Sequence, residues 1–269
     1  MPDGPRYNFR NVPFSYSEAQ IDELVAEFTD PKAREALELA ALPEILKGAE
    51  CFIDAGANVG QYIFHAAKHL RKAKLLAIEA NPYLIAPLTR IVENLRTDET
   101  HGNQYEICGA AVSDLTGDFE FFVSRFPTLS SIFPHDATEK VKVSSVRLDD
   151  FYRPGVCTVI KIDIEGAEYR AVRSAQKFLH SNDASFFIEL HGWGDKTIGK
   201  YPIHLCWLFY RNGYASRKIG THYWFYRAHW LTRTALFLKE TPYLAFKYIV
   251  FRYLPGLPPA LNRLRNKLR

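Results

Sequence analysis

The sequence predicts an α/β protein: a doubly wound, mostly parallel sheet with helices on both faces, an inserted β-hairpin and a basic helical extension at the C-terminus. Three observations predict it. Short apolar runs alternate with longer amphipathic stretches between residues 51 and 190, the pattern of strand–helix–strand units joined by right-handed crossovers. A glycine turn, Asp54-Ala-Gly56-Ala-Asn58-Val-Gly60, follows the first apolar run. A polar interruption at residues 117–147 contains two alternating segments of its own.

The elements follow in order. Residues 17–29 read as a helix: Ser17 and Gln20 form a capping-box pattern, and Ile21, Leu24, Val25 and Phe28 share a face. A second helix starts at Asp30-Pro31 and runs toward Leu46, with Gly48 ending it. These two cover an edge or face of the sheet. Residues 51–54 form the first strand, and a helix over 58–70 follows the glycine turn. Strand 75–79, helix 82–95 and strand 105–108 come next. Segments 119–123 and 141–145 pair antiparallel across a polar loop containing Ser130, Ser131 and His135. Strand 159–163, helix 167–179, strand 186–190 and an aromatic-rich strand over 222–226 complete the domain. The expected organisation is a helical cover over 1–48, a main domain over 49–228 and a basic, aromatic-rich extension over 229–269.

Composition narrows the classes. The 269 residues are 47% hydrophobic and 24% charged, enough to build one full core. The net charge of +4 is too small to indicate nucleic acid, and no nucleic-acid partner is expected. Its distribution is uneven: from Arg227 onward there are nine Lys or Arg against one acid, Glu240, so the remainder is mildly acidic. Cys51, Cys108, Cys157 and Cys206 form no CxxC pair and read as buried free thiols rather than a zinc site. The N-terminal MPDGPRYNFR has no apolar core of a secretory signal, and no run reaches the roughly 18–20 apolar residues of a membrane span. The expected compartment is the cytoplasm.

In an open parallel sheet, ligands sit beyond the carboxyl ends of the strands where strand order reverses. The glycine turn belongs there. Its GxxxG spacing differs from the GxGxxG that holds a dinucleotide pyrophosphate, and Asp54 at the strand end suits a cationic ligand better. The ammonium and sulfonium of S-adenosylmethionine meet that description. Gly56, Asn58 and Gly60 would shape the turn around it. Glu79 ends the next strand 19 residues past Gly60, the position of a ribose-hydroxyl ligand. After the third strand, Ser113 and Asp114 could bond an adenine amine, or form an ordinary turn.

The densest chemical cluster is Lys161-Ile-Asp163-Ile-Glu165-Gly-Ala-Glu168. Asp163 ends a strand beside the first, next to the cofactor. Glu165 and Glu168 open the following helix, where the dipole favours acids.

The chain resembles the FkbM-type methyltransferases. The resemblance rests on FIDAGANVGQY (52–62), AIEANP (77–82), AAVSDLTG (110–117), VRLDDF (146–151) and VIKIDIEGAEYRAVRSA (159–175), in that order. KIDIEGAE is the most specific string. The match covers roughly residues 50–192 and implies a Rossmann-like class I methyltransferase sheet, S-adenosylmethionine as cofactor and O-methylation of a hydroxyl. It also implies the acceptor range: sugars, glycolipids, polysaccharides and polyketides.

Methyl transfer from a sulfonium is an in-line displacement that needs alignment and, for an alcohol, a base. Asp163, Glu189 and His191 are the candidates near the methyl group, His191 for its convenient pKa; His135 is a further candidate. A divalent ion held by Asp163, Glu165, Glu189 and His191 is an alternative, but spacing alone does not bring them within bonding distance, and the expected site is metal-free. The basic extension either packs on the domain, forms a dimer, or makes peripheral membrane contact near a lipid-linked glycan. Two other functions compete: an NAD-dependent oxidoreductase, disfavoured by Asp54 and the GxxxG spacing, and a non-catalytic membrane-associated binding protein, disfavoured by the intact acidic cluster.

Overall fold

The computed structural model describes residues 35–97, 100–124, 130–133, 137–191 and 199–253. The helix expected over 17–29, the start of the helix expected from Asp30, His135, Trp193 and residues 254–269 lie outside them. Helix α1 (Ala36–Ile45) precedes β1 (Cys51–Ala55), whose five residues are all buried. Continuous burial marks a strand covered on both faces. Next come α2 (Gln61–His69), β2 (Lys74–Glu79), α3 (Ile85–Arg96) and β3 (Gln104–Gly109). An insertion follows: β4 (Ala111–Val112), β5 (Asp118–Ser124) and β6 (Ala137–Val146). A 3-10 turn at Leu148–Phe151 leads to β7 (Thr158–Ile162), α4 (Glu168–Arg173), α5 (Gln176–His180) and β8 (Ala184–Glu189). The chain then runs through α6 (Pro202–Arg211), β9 (Tyr214–Ile219), β10 (His222–Arg227), α7 (Trp230–Glu240) and α8 (Pro242–Tyr253).

Seven strands form the central sheet in the order β3-β2-β1-β7-β8-β10-β9. All neighbours pair parallel except β10, which runs antiparallel to β8 and β9. The order reverses between β1 and β7, the switch point where an open α/β sheet binds its ligand. Successive side chains of a strand point to opposite faces. Ile53, Leu76, Ile160 and Phe186 accordingly pack with Val172, Phe178 and Phe209 on one face. Phe52, Leu75, Val159 and Phe187 pack with Leu42, Tyr62, Ile63 and Leu88 on the other. Each large side chain so buried contributes about 1.5–3 kcal/mol.

Three features differ from the sequence reading. The helix expected over 167–179 is two helices. Ser174, fully buried at the break, donates its hydroxyl to the Ala171 carbonyl and accepts the Leu148 N–H; such back-bonding competes with helix continuation. The insertion is a three-stranded sheet, β4-β6-β5, because the short β4 adds in parallel to the expected antiparallel pair. Strand β9 was not expected: its second half carries Arg217 and Lys218 at the sheet edge, which dilutes the apolar signal.

Candidate active site at the carboxyl ends of β1, β2, β7 and β8

The glycine turn is held from two sides. Gly56 has φ +82°, and a Cβ there would lie 1.8 Å from the Asp163 carbonyl oxygen, so only glycine lets the turn lie against the end of β7. Asn58 adopts φ 52°, a conformation asparagine tolerates, and its N–H donates to Glu79 Oε2 at 2.7 Å. The other Glu79 oxygen accepts the Asn81 N–H at 2.6 Å. Glu79 thus clips the turn to the end of β2 while keeping further lone pairs. Burial pushes its carboxyl up to about 7, against those two N–H donors. Gly60, at φ +95°, opens α2 without a side-chain cap, which leaves the positive end of the helix dipole facing the ligand edge.

Asp54 is fully buried, and burial lifts its carboxyl to about 6. It stands across the sheet from Lys161 in the β1–β7 register. Lys161 Nζ lies 3.2 Å from Asp54 Oδ1 and 3.5 Å from Asp163 Oδ2. It also donates to the Gly56 carbonyl at 3.1 Å and sits 4.7 Å above the Tyr62 ring. Burial opposes the Lys161 charge, but the two aspartates outweigh it and raise its pKa. The charge of Asp54, expected to meet a cationic ligand, is therefore met first from within the chain. No role was assigned to Lys161 from sequence. A lysine flanked by isoleucines in a five-residue strand was the signal: buried cations need partners.

A second cation lies at the end of β8. His191, 9% exposed, donates from Nδ1 to Glu168 Oε1 at 2.8 Å. Its Nε2 faces Glu165 Oε2 at 3.3 Å, Asp163 Oδ1 at 3.9 Å and Glu189 Oε2 at 4.0 Å. Burial works against a charged ring, but Glu168, Glu165 and Asp163 lift its pKa well above the ordinary value. The same carboxylates that raise it favour the charged ring, which bears on how His191 could serve as a base. Burial and Asp163 raise Glu189. Burial would also raise Asp163, but Lys161, His191 and His222 hold it below the usual carboxylate range. Asp163, Glu189 and His191 each place one ligand atom within 4.8 Å of the others. A divalent ion could bridge that spacing if His191 gave up its proton.

Glu168 therefore does more than favour a helix dipole: besides His191, Oε1 accepts the Gly166 N–H at 2.9 Å. Glu165 takes φ 53°, and its carbonyl accepts the Ser131 hydroxyl at 2.9 Å, tying the insertion to the acidic loop. The adenine candidates are engaged by the chain itself. Ser113, fully buried, accepts the Leu115 N–H at 3.2 Å. Asp114 lies 3.1 Å from Arg173 and 4.0 Å from Arg170.

The far wall comes from residues that sequence reasoning passed over. His222 pairs in register with Glu189, and its ring stacks on Phe187 at 4.6 Å. Glu38 of α1 accepts the Thr221 N–H at 2.6 Å and occupies the space over Gly220 that a Cβ would need. Burial would raise Glu38, but His222 and the Thr221 N–H bring it down to about 2. A glutamate within ALELAAL was its one local sign. On the outer side, a shallow cleft between Tyr169, Lys200, Tyr201 and Leu205 reaches His191 and Glu168.

Comparison with known proteins bears on the whole arrangement. No curated protein matches the chain in sequence. Among solved structures, precorrin-6y C5,15-methyltransferase from Geobacter metallireducens is 10% identical with TM-score 0.42, over 73% of this chain and 90% of that one. A SAM-dependent methyltransferase from Aquifex aeolicus is 11% identical with TM-score 0.41, over 78% and 96%. One from Thiobacillus denitrificans, in complex with S-adenosyl-L-homocysteine, is 12% identical with TM-score 0.38, over 76% and 74%. The family described as Methyltransferase FkbM domain matches residues 54–215, more than half the chain, and spans the glycine turn, Lys161 and both carboxylate groups. The chain belongs to the FkbM methyltransferase family and is an S-adenosylmethionine-dependent methyltransferase.

Proposed function

We propose that the protein methylates a hydroxyl group of a carbohydrate acceptor, in a glycan, glycolipid or polysaccharide. The observation that carries this reading is the ring of four carboxylates, Asp163, Glu165, Glu168 and Glu189, around His191. A polyanionic acceptor such as nucleic acid is repelled by such a ring, whereas a neutral polyol finds hydrogen-bond acceptors in it. Tyr169 and Tyr201 line the cleft that reaches it.

The residues present fit the cofactor. Asp54 is fully buried with neither oxygen hydrogen-bonded among the described residues, its charge balanced by Lys161 alone, so the turn above it has a fixed, polar floor. Glu79 keeps lone pairs for ribose hydroxyls, and the uncapped amino end of α2 suits the carboxylate of the methionine moiety. Gly56, Asn58 and Gly60 shape the turn, Ser113 and Asp114 border the adenine side, and Asp163 stands between cofactor and acceptor. The cofactor supplies a methyl group on a sulfonium. With the methyl group passing to the hydroxyl oxygen and the sulfonium leaving as the neutral thioether S-adenosylhomocysteine, Glu189 would accept the hydroxyl proton. His191 holds Asp163 and Glu189 in place and balances their charge. Helix α1 covers one face of this domain, and helices α7 and α8 extend it.

The test is methyl transfer from isotopically labelled S-adenosylmethionine to cell-envelope glycans, oligosaccharides and total RNA offered in parallel. Label in a glycan hydroxyl, seen as one methyl group by mass spectrometry, is the expected result. Label in RNA, or in none of the glycans, would sink the proposal.

A further inference from the structure

Eight large apolar side chains are exposed among the described residues, and six belong to three consecutive helices: Trp207 of α6, Trp230, Leu231 and Leu238 of α7, and Tyr243 and Phe246 of α8. Helix α7 has no buried residue at all. Its inner side is only half covered: Thr234 bonds Tyr210 of α6 at 3.0 Å, and Phe237 packs on the Tyr210 ring at 4.7 Å. Its outer side repeats Leu231, Ala235 and Leu238 at helical spacing, all exposed, with Lys239 beside them. An apolar stripe of this kind on a monomer marks an interaction surface.

The charge of the same region selects the partner. Residues 227–269 hold nine Lys or Arg and a single acid, Glu240. The Lys239 side chain is 74% exposed while that of Glu240 is 14% exposed, so the charge offered to solvent on α7 is positive. No described helix is long and apolar enough to cross a membrane. Aromatic and leucine anchors interspersed with basic residues, on helices too short to span, are the features of an interfacial element. A second copy of the chain fits less well: a two-fold contact places like patches together and would set two basic faces against each other.

We propose that the α6–α7–α8 face docks on the surface of an anionic phospholipid bilayer. Trp230, Leu231, Leu238 and Phe246 enter the headgroup layer, and Lys239 beside them meets lipid phosphates. The inference is independent of which acceptor is methylated.

Flotation of the full-length protein with vesicles tests it, comparing phosphatidylcholine alone with phosphatidylcholine containing phosphatidylglycerol. Binding is expected to be at least about tenfold tighter to the anionic vesicles and to weaken as salt rises. The double variant Leu231→Ser, Leu238→Ser is expected to lose about tenfold or more in vesicle affinity while binding S-adenosylmethionine as the parent does, which shows that it is folded. Equal binding to neutral and anionic vesicles, or none to either, overturns the proposal. So does a dimer by sedimentation equilibrium that the double variant dissolves without altering vesicle binding; that outcome assigns the face to self-association.

Discussion

Lys161 and His191 are both buried cations among carboxylates, both belong to the same sheet, and both touch Asp163, yet they are built for different tasks. Lys161 lies inside the sheet, 3% exposed, with its ammonium shared by Asp54, Asp163 and the Gly56 carbonyl. An ammonium on a four-carbon stem is a fixed point charge, and its aspartate partners raise its pKa. His191 stands at the rim, its two nitrogens divided between Glu168 on one side and Glu165, Asp163 and Glu189 on the other. Its charge depends wholly on those neighbours, because an isolated ring would be mostly neutral at pH 7. The contrast is between a lysine that two aspartates and a backbone carbonyl hold inside the sheet and an imidazole that four carboxylates surround at its rim. Asp163 joins the two halves.

Substitutions can break the comparison at either end. The largest effect is expected from Lys161→Met, which strands the fully buried Asp54 and the partly buried Asp163. Loss of about 3–5 kcal/mol in denaturant unfolding is expected, with weakened cofactor binding by calorimetry. Unchanged stability would show that Asp54 and Asp163 need no internal partner. On the rim, Glu189→Gln should lower kcat by about 10²–10⁴ and leave cofactor affinity alone; a parallel loss of affinity would mean that the two halves are not separable. Next in size is Glu38→Gln. The Glu38 carboxyl is depressed to about 2 in the fold, so its contribution is present above the unfolded value near 4.5 and is lost as pH falls toward 2. The parent should lose stability over that range faster than the variant, and the variant should start about 1 kcal/mol lower at neutral pH. The smallest effect concerns Glu79, whose carboxyl is raised to about 7. Cofactor affinity should climb by about five- to tenfold as pH rises through 7 and the group ionises, since ribose hydroxyls bond a carboxylate more strongly than an acid. Titration calorimetry with Glu79→Gln should show no such step.

The sequence exposed what is local. Apolar runs ending in Asp54, Glu79 and Asp163 located three sheet ends because strand burial and strand termination leave marks within a few residues. The glycine turn was legible for the same reason: φ and close approach are properties of Gly56 and Gly60 themselves. Pairing across the sheet was not legible. Nothing near Lys161 in the chain names Asp54, 107 residues earlier, and nothing near Glu168 names His191. The surroundings of His191 were not legible for that reason, since Glu168, Glu165 and Asp163, which raise its pKa, come to it from the neighbouring strand's end. Strand β9 escaped because an edge strand can present Arg217 and Lys218 to solvent, and the break at Ser174 escaped because it depends on Leu148, whose N–H the hydroxyl receives.

The reversed strand β10 has a consequence for how the chain is made. Because β10 runs against its neighbours, the β9–β10 turn arrives at the ligand edge, where Thr221 meets Glu38 across 183 positions of sequence. On the ribosome the helix bearing Glu38 is complete long before that turn exists. At about 5–20 residues per second, the wait is roughly 10–40 s. For that interval a glutamate destined for burial stays hydrated, although Leu42 of the same helix already has Phe52, Tyr62 and Ile63 to pack on. That side of the site is therefore walled only after residue 221 is made, so a nascent chain stalled before it would carry the glycine turn, Lys161 and His191 without the wall that Glu38 and His222 complete.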